Sequence, residues 1–210
     1  MLYFEKVQKH YGSFAALDIP SLGLDKGLWW LQGENGSGKT TFMKMIAGLH
    51  PFKGDILLEG YNINKGRQQF IKQISYSEAE PLYPLFLTAK DLITLYCKTK
   101  CGSMVDAEEH LRQLHVFDAY TQKLGTYSSG MIKKLSLALA FIGSPKVILL
   151  DEPLITIDAA AIETICTIIR GRLEEGVSFI ITSHQSIPAQ QLTFTGTLKA
   201  ENRTITIVSE

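Results

Sequence analysis

Nine residues, "GENGSGKTT" from Gly33 to Thr41, carry the densest chemistry in the chain. They fit the pattern G-x-x-x-x-G-K-[ST], with Gly33, Gly38, Lys39 and Thr40 at the fixed positions and Glu34, Asn35, Gly36, Ser37 and Thr41 completing the loop. Glycines let the backbone bend until successive N–H groups converge on phosphate oxygens, and a following helix adds partial positive charge. The Lys39 ammonium would reach the terminal phosphates, and the Thr40 hydroxyl would ligate Mg²⁺. A second constellation is "KVILLDEP", which places Asp151 and Glu152 directly after an apolar run. Asp151 there suits Mg²⁺, held directly or through water, and Glu152 suits a base that polarises an attacking water. A third, "FIITSHQ", ends another apolar run in Ser183-His184, and His184 suits a donor to a γ-phosphate. A fourth, "TYSSGMIKKLSLALAF" (126–141), runs a polar cap built on Ser128 and Gly130 into an apolar helix. Such a tip receives an anion, or simply caps its own helix.

Elements that position these groups can be read around them. "LWWLQ" (28–32) reads as a strand leading into the loop, and Phe42, Met45, Ile46 and Leu49 give a helix from Lys39 to Leu49. Residues 2–8, "DILLEG" and "QISYSE" read as further strands. "KVILLD" and "VSFIIT" are apolar throughout, as expected of parallel strands covered on both faces. Helical spacing runs from Thr88 to about Tyr120 and again over Ala159 to Leu173. The C-terminal "GTLKAENRTITIVS" predicts a hairpin turning near "ENR". Met131, Leu135, Ala138 and Ile142 form an inward stripe that fixes the aim of the helix after Gly130. Strands alternating with helices predict an α/β fold: a P-loop NTPase core with a mainly parallel sheet, a small antiparallel part and an inserted α-helical subdomain. The whole is read as a single domain, with the core at about 1–80 and 125–210 and the helical insert at about 81–124.

Composition narrows the partners. The chain has 210 residues, 45% hydrophobic and 20% charged. Its 21 basic and 21 acidic side chains balance, so no net field favours nucleic acid or an acidic membrane. Three cysteines argue for free thiols in a reducing compartment; Cys97 and Cys101 would share a helix face. The start, "MLYFEKVQKHYG", has early charges and no signal-peptide core, and no run reaches the roughly 18 apolar residues of a membrane span.

The phosphate loop, "ILLDEP" and "TSH", with "YSSGMIKK" in the position of the L-S-G-G-Q signature, resemble the ATP-binding cassette (ABC) ATPase family over nearly the whole chain, in the family's order and spacing. Ser128 and Gly130 match the signature, while Tyr127, Ser129 and Met131 depart from its commonest letters. The resemblance implies an ATPase subunit that hydrolyses ATP to ADP and phosphate with Mg²⁺ and energises separate integral membrane permease subunits. It also implies a second ABC subunit, identical or not, packed head to tail so that each signature tip faces ATP held by the other's phosphate loop. Tyr11 in "KHYGS" matches the family's adenine-stacking aromatic, and Asp158 in "ITIDA" matches a residue that touches the opposite subunit, although Asp158 could equally cap the following helix. The implied location is cytoplasmic, at the inner face of the membrane, with "SSGM" leaning toward export. "PLYPLFLTAKDLITLY" (81–96) is the expected permease-docking surface.

One departure bears on mechanism. The family's glutamine, which contacts Mg²⁺ and the attacking water, aligns with Ala79, and alanine can hold neither. Glu78 and Glu80 are the neighbouring carboxylates that could substitute. Two rival readings follow: a dimerising ATP switch with little hydrolysis, or a soluble cassette protein acting outside transport.

Overall fold

Why the phosphate loop can form is visible in the strand before it. In the computed structural model, which describes residues 1–183 and 192–208, β3 (Leu28–Gln32) lies in the interior of a six-stranded sheet. Its neighbours are β9 (Gly196–Glu201) on one side and β8 (Ser178–Thr182) on the other, both parallel to it. Beyond β8 come β7 (Val147–Leu150) and β6 (Ile74–Ser77), also parallel. Only β10 (Thr204–Val208) runs antiparallel, closing the predicted hairpin on β9. Asn202 and Arg203 at its turn have φ of 49° and 63°, the left-handed geometry that tight hairpins need. The carboxyl ends of β3, β7 and β8 therefore lie side by side, and those ends carry Gly33, Asp151 and Ser183.

Both faces of this sheet are covered, as the unbroken apolar runs require. Leu28, Ile148, Leu150, Phe179 and Ile181 pack into one core with the helices α3 (Ala89–Lys100), α4 (Met104–Gln113), α5 (Ser129–Ala140) and α6 (Ala159–Glu174). Trp29, Leu31, Leu149, Ile180 and Leu198 face the other way, onto the helix α1 (Lys39–Ile46) and a second sheet. That second sheet is antiparallel, in the order β2 (Phe14–Leu24), β1 (Leu2–Tyr11), β4 (Lys53–Leu58) and β5 (Tyr61–Asn62). The fold is thus the expected α/β class, with a mainly parallel sheet, an antiparallel part and helices inserted between β6 and β7.

Several local expectations change. The first strand extends to Tyr11, and β2 is an additional strand of 11 residues. Pro20 and Gly23 mask it in the sequence. It is an edge strand, however, and the ladder passes over Lys6 and Pro20, so the missing proline N–H costs no pairing. α1 stops at Ile46, three residues before Leu49. A short helix, α2 (Arg67–Lys72), precedes β6. The long helical stretch after Thr88 divides into α3 and α4, each with its own hydroxyl cap: Thr88 accepts from the Asp91 N–H and Ser103 from the Asp106 N–H. Cys101 sits past the end of α3 in a left-handed cap, exposed, while Cys97 is buried, so the two do not share a helix face. None of the three cysteines is in a disulfide. In α5 the stripe faces inward as expected: Leu135 and Ala138 are buried, Met131 is half-buried, and buried Ile142 lies just past the helix end.

Candidate functional site

The loop after β3 enters α1 through Gly38, whose φ of 101° and a would-be Cβ 2.9 Å from Leu17 Cδ2 admit only glycine. Lys39 lies under the loop, and its ammonium donates to the carbonyls of Gly33 (2.7 Å) and Glu34 (2.9 Å). Those bonds curl the loop around the amine. α1 has no acidic residue in its first turn, so its N-terminus keeps its partial positive charge.

Opposite the loop stands the end of β7. Asp151 is buried and its carboxylate is held twice: the Thr182 hydroxyl donates to Oδ1 at 2.7 Å and the Tyr76 hydroxyl to Oδ2 at 3.3 Å. Burial and the neighbouring Asp151 charge push the Tyr76 phenol well above its usual range, so it stays a donor. The Thr182 hydroxyl also accepts from the Glu152 N–H at 2.8 Å, and Glu152 takes a left-handed φ of 47°. One hydroxyl thereby holds both the Asp151 carboxylate and the Glu152 main chain. Between the two sides lies a cleft of about 320 Å³. Asn35, Gly36, Gly38, Lys39, Thr40 and Thr41 line one wall, and Ala79, Asp151 and Glu152 the other. Lys39 and Thr40 of the loop and the adjacent Asp151 and Glu152, drawn from sequence positions more than 100 apart, thus meet across one opening.

Ala79 lines this cleft, in the place assigned to the family's glutamine. Neither flanking glutamate is seen to substitute for it. The Glu78 carboxylate pairs with Lys44 at 2.9 Å and lines a different groove, beside Leu49 and Tyr96, and Glu80 is exposed and outside the cleft lining.

Ser128 caps α5, accepting from the Met131 N–H at 3.2 Å, and both Ser128 and Ser129 are exposed. Neither Ser128 nor Gly130 lines the cleft of its own chain. Gly130 abuts the loop after β7: a Cβ there would lie 2.8 Å from the Thr156 carbonyl oxygen. Asp158 caps α6 through the Ala161 N–H at 2.9 Å and pairs with Lys134 of α5. The Lys134 bond and the cap lower its carboxyl to about 2. Tyr11 is exposed at the end of β1; its hydroxyl lies 2.9 Å from His50 Nδ1 and 3.5 Å from Thr41 Oγ1, and the Lys9 ammonium sits 4.6 Å from its ring centre. His184 lies outside the described residues.

Three participants were not evident from sequence. Thr182 and Tyr76 read as ordinary strand residues. Lys133 is one of two lysines in a helix run, yet it is only 1% exposed. Its ammonium donates to the carbonyls of Glu78 (2.7 Å), Ala79 (3.2 Å) and Asp151 (2.8 Å). Burial pulls it down to about 8, against the opposing pull of Asp151, Glu152 and Glu78. Lys133 lies off the stripe of Met131, Leu135, Ala138 and Ile142, so the helix period gave no signal for it.

A parallel sheet covered on both faces, with a phosphate loop and paired carboxylates at its carboxyl end, defines a nucleotide-binding α/β domain. The sequence pattern of the ABC transporter family matches residues 18–155. The cytochrome c biogenesis ATP-binding export protein CcmA of Legionella pneumophila (strain Lens) is 34% identical over 163 residues, 77% of this chain and 81% of that protein. The linearmycin resistance ATP-binding protein LnrL of Bacillus subtilis (strain 168) is 30% identical over 190 residues, 88% of this chain and 61% of that protein. The ABC transporter A family member 10 of Arabidopsis thaliana is 31% identical over 84% of this chain, which spans only 20% of that relative's length. Among solved structures, an ATP-binding subunit of an ABC transporter superposes with a TM-score of 0.89 at 22% identity, covering 100% of this chain and 90% of that one. This chain belongs to the ABC transporter family, as an ATP-binding domain.

Proposed function

We propose that the chain is the ATP-hydrolysing subunit of an ABC transporter, working as a dimer that holds two composite sites. The single observation that carries this is the division of the chemistry. Lys39, Thr40, Asp151 and Glu152 share one cleft, while the exposed α5 tip with Ser128 and Gly130 lies outside it. A head-to-tail pair would bring each tip to the other chain's cleft, where its helix dipole and Ser128 would complete the γ-phosphate site.

In such a site the residues from Gly33 to Thr41 cradle the phosphates and Lys39 exchanges its loop carbonyls for phosphate oxygens. Thr40 and Asp151 would hold Mg²⁺, which supplies charge neutralisation on the phosphoryl oxygens. Among the described residues no group of three His, Cys, Asp or Glu side chains gathers to cage a metal, and Mg²⁺ needs none, since it takes substrate phosphates and waters as ligands. Glu152 accepts a proton from the attacking water, and His184 donates to the γ-phosphate. Tyr11 would offer one ring face to adenine with Lys9 against the ring, and Asp158, paired with Lys134 of its own chain, would face the opposite subunit.

Of the segment 81–96, Leu92 and Ile93 are buried in the chain's own core. Leu82, Leu85, Phe86 and Leu95 are exposed, and we assign this surface to the permease. No described helix is long and apolar enough to cross a membrane. In the same reading the transport pathway belongs to separate permease subunits and this chain has its place at the cytoplasmic face. The names of CcmA and LnrL, an export protein and a resistance protein, support export. Ala79 in the cleft favours one second reading, a dimerising switch with slow turnover.

Gel filtration of Glu152→Gln with and without ATP, beside wild-type turnover, separates the readings. Dimer only with ATP, plus steady wild-type hydrolysis, supports the transporter subunit; an ATP-locked wild-type dimer with no turnover supports the switch; no dimer under any nucleotide refutes both.

A further inference from the structure

Ala79 offers no polar side chain to the cleft, yet its backbone is pinned. The pin is the Lys133 ammonium, whose three N–H groups match the three carbonyls of Glu78, Ala79 and Asp151. Burying a charge is tolerated only when its partners are complete, so these contacts are held together or lost together. They belong to two different parts of the cleft wall: the segment after β6 and the metal-holding end of β7. The lysine itself belongs to a third, α5, five positions after its Ser128 cap, roughly 7.5 Å along a rigid helix. A second buried bond, between the Ser77 and Ser136 hydroxyls at 2.9 Å, ties the same helix to β6.

We infer that Lys133 is a positioning residue that couples the tip of α5, which serves the opposite nucleotide, to Asp151 and the Ala79 segment, which serve the chain's own. The linkage that a longer side chain at position 79 would make across the cleft is made here through main-chain carbonyls gathered by one amine. The inference rests on the dimeric reading above. Movement of the tip on engaging a partner's nucleotide would shift the Asp151 carbonyl directly, without passing through the cleft.

The test is steady-state hydrolysis by the full chain carrying Lys133→Met, which keeps length and loses every donor, or Lys133→Arg, which keeps a buried cation with donors. For Lys133→Met, kcat is expected to fall at least about tenfold and the Mg²⁺ concentration for half-activation to rise by a similar factor, with KM for ATP within about threefold. Lys133→Arg is expected to recover most of both. A lowered melting temperature with kcat and Mg²⁺ activation within about twofold of wild type, or equal losses in both folded variants, would overturn the inference. If Lys133→Met does not fold, Lys133→Leu, which also loses every donor, takes its place with the same expectation; failure of both to fold makes the lysine a packing element and also overturns it. Glu152→Gln, unchanged at Lys133, reports separately on the dimer. If it does not dimerise with ATP, the functional reading itself falls; if it does and the Lys133 variants turn over normally, only the coupling falls.

Discussion

Removing the Thr182 hydroxyl tests how the carboxylate end of the cleft is built. Thr182 is fully buried, and its Oγ1 both donates to Asp151 Oδ1 and accepts from the Glu152 N–H. Thr182→Val keeps the shape and removes both bonds. A hydrogen bond to a charged group contributes about 1.5–3 kcal/mol, and a buried N–H left without a partner costs about 1–3 kcal/mol. Partial relaxation leaves a destabilisation of roughly 2–5 kcal/mol. For a chain of this size that lowers the melting temperature by roughly 5–15 °C. Thr182→Ser is the control: it keeps the hydroxyl and loses one methyl, about 1 kcal/mol. Differential scanning calorimetry of the three chains gives the stability order. Hydrolysis at saturating ATP should fall at least about tenfold in the valine chain, because Asp151 loses the bond that fixes its rotamer, and stay within about threefold in the serine chain. A valine chain that melts within about 1 °C of wild type and turns over normally would show that the Asp151 carboxylate and the Glu152 main chain are held by something else.

Gly130→Ala forces a methyl to within 2.8 Å of the Thr156 carbonyl, so the α5 tip or the loop must shift. In a Glu152→Gln background, ATP-driven dimerisation measured by gel filtration should weaken at least about tenfold, while ATP binding to the monomer is retained. Glu78→Ala should leave hydrolysis within about twofold, because its carboxylate pairs with Lys44 outside the cleft; a tenfold drop in turnover would mean that it does reach the metal. Asp158 has its carboxyl lowered to about 2 by Lys134 and the Ala161 cap, so the ionised form contributes stability above the usual carboxylate pKa and loses it as pH falls toward about 2. Melting between about pH 4 and pH 2 should therefore fall more steeply for wild type than for Asp158→Asn, which keeps a cap acceptor but does not titrate.

What could be read in the sequence was what local chemistry specifies. The phosphate loop, the apolar strands around it and the serine cap of α5 each rest on residues within a few positions of one another, and each was legible. β2 was not, because an edge strand tolerates a proline that would exclude it from a sheet interior, and only the sheet order reveals which it is. The division into α3 and α4 turned on two hydroxyl caps embedded in a continuous helical period. Thr182, Tyr76 and Lys133 escaped for a different reason: their roles are defined by partners 31, 75 and 18 to 55 positions away. A threonine closing a strand and a lysine inside a helix carry no local sign of the carboxylate or carbonyl they meet. The same distinction bears on Ala79. Read along the chain, it removes a ligand. In three dimensions its carbonyl is one of three gathered by Lys133, so the substitution removes a polar side chain while the main chain at that point stays fixed to the end of β7. The coupling inferred for Lys133 therefore rests less on which side chain stands at position 79 than on whether the amine beneath it is kept.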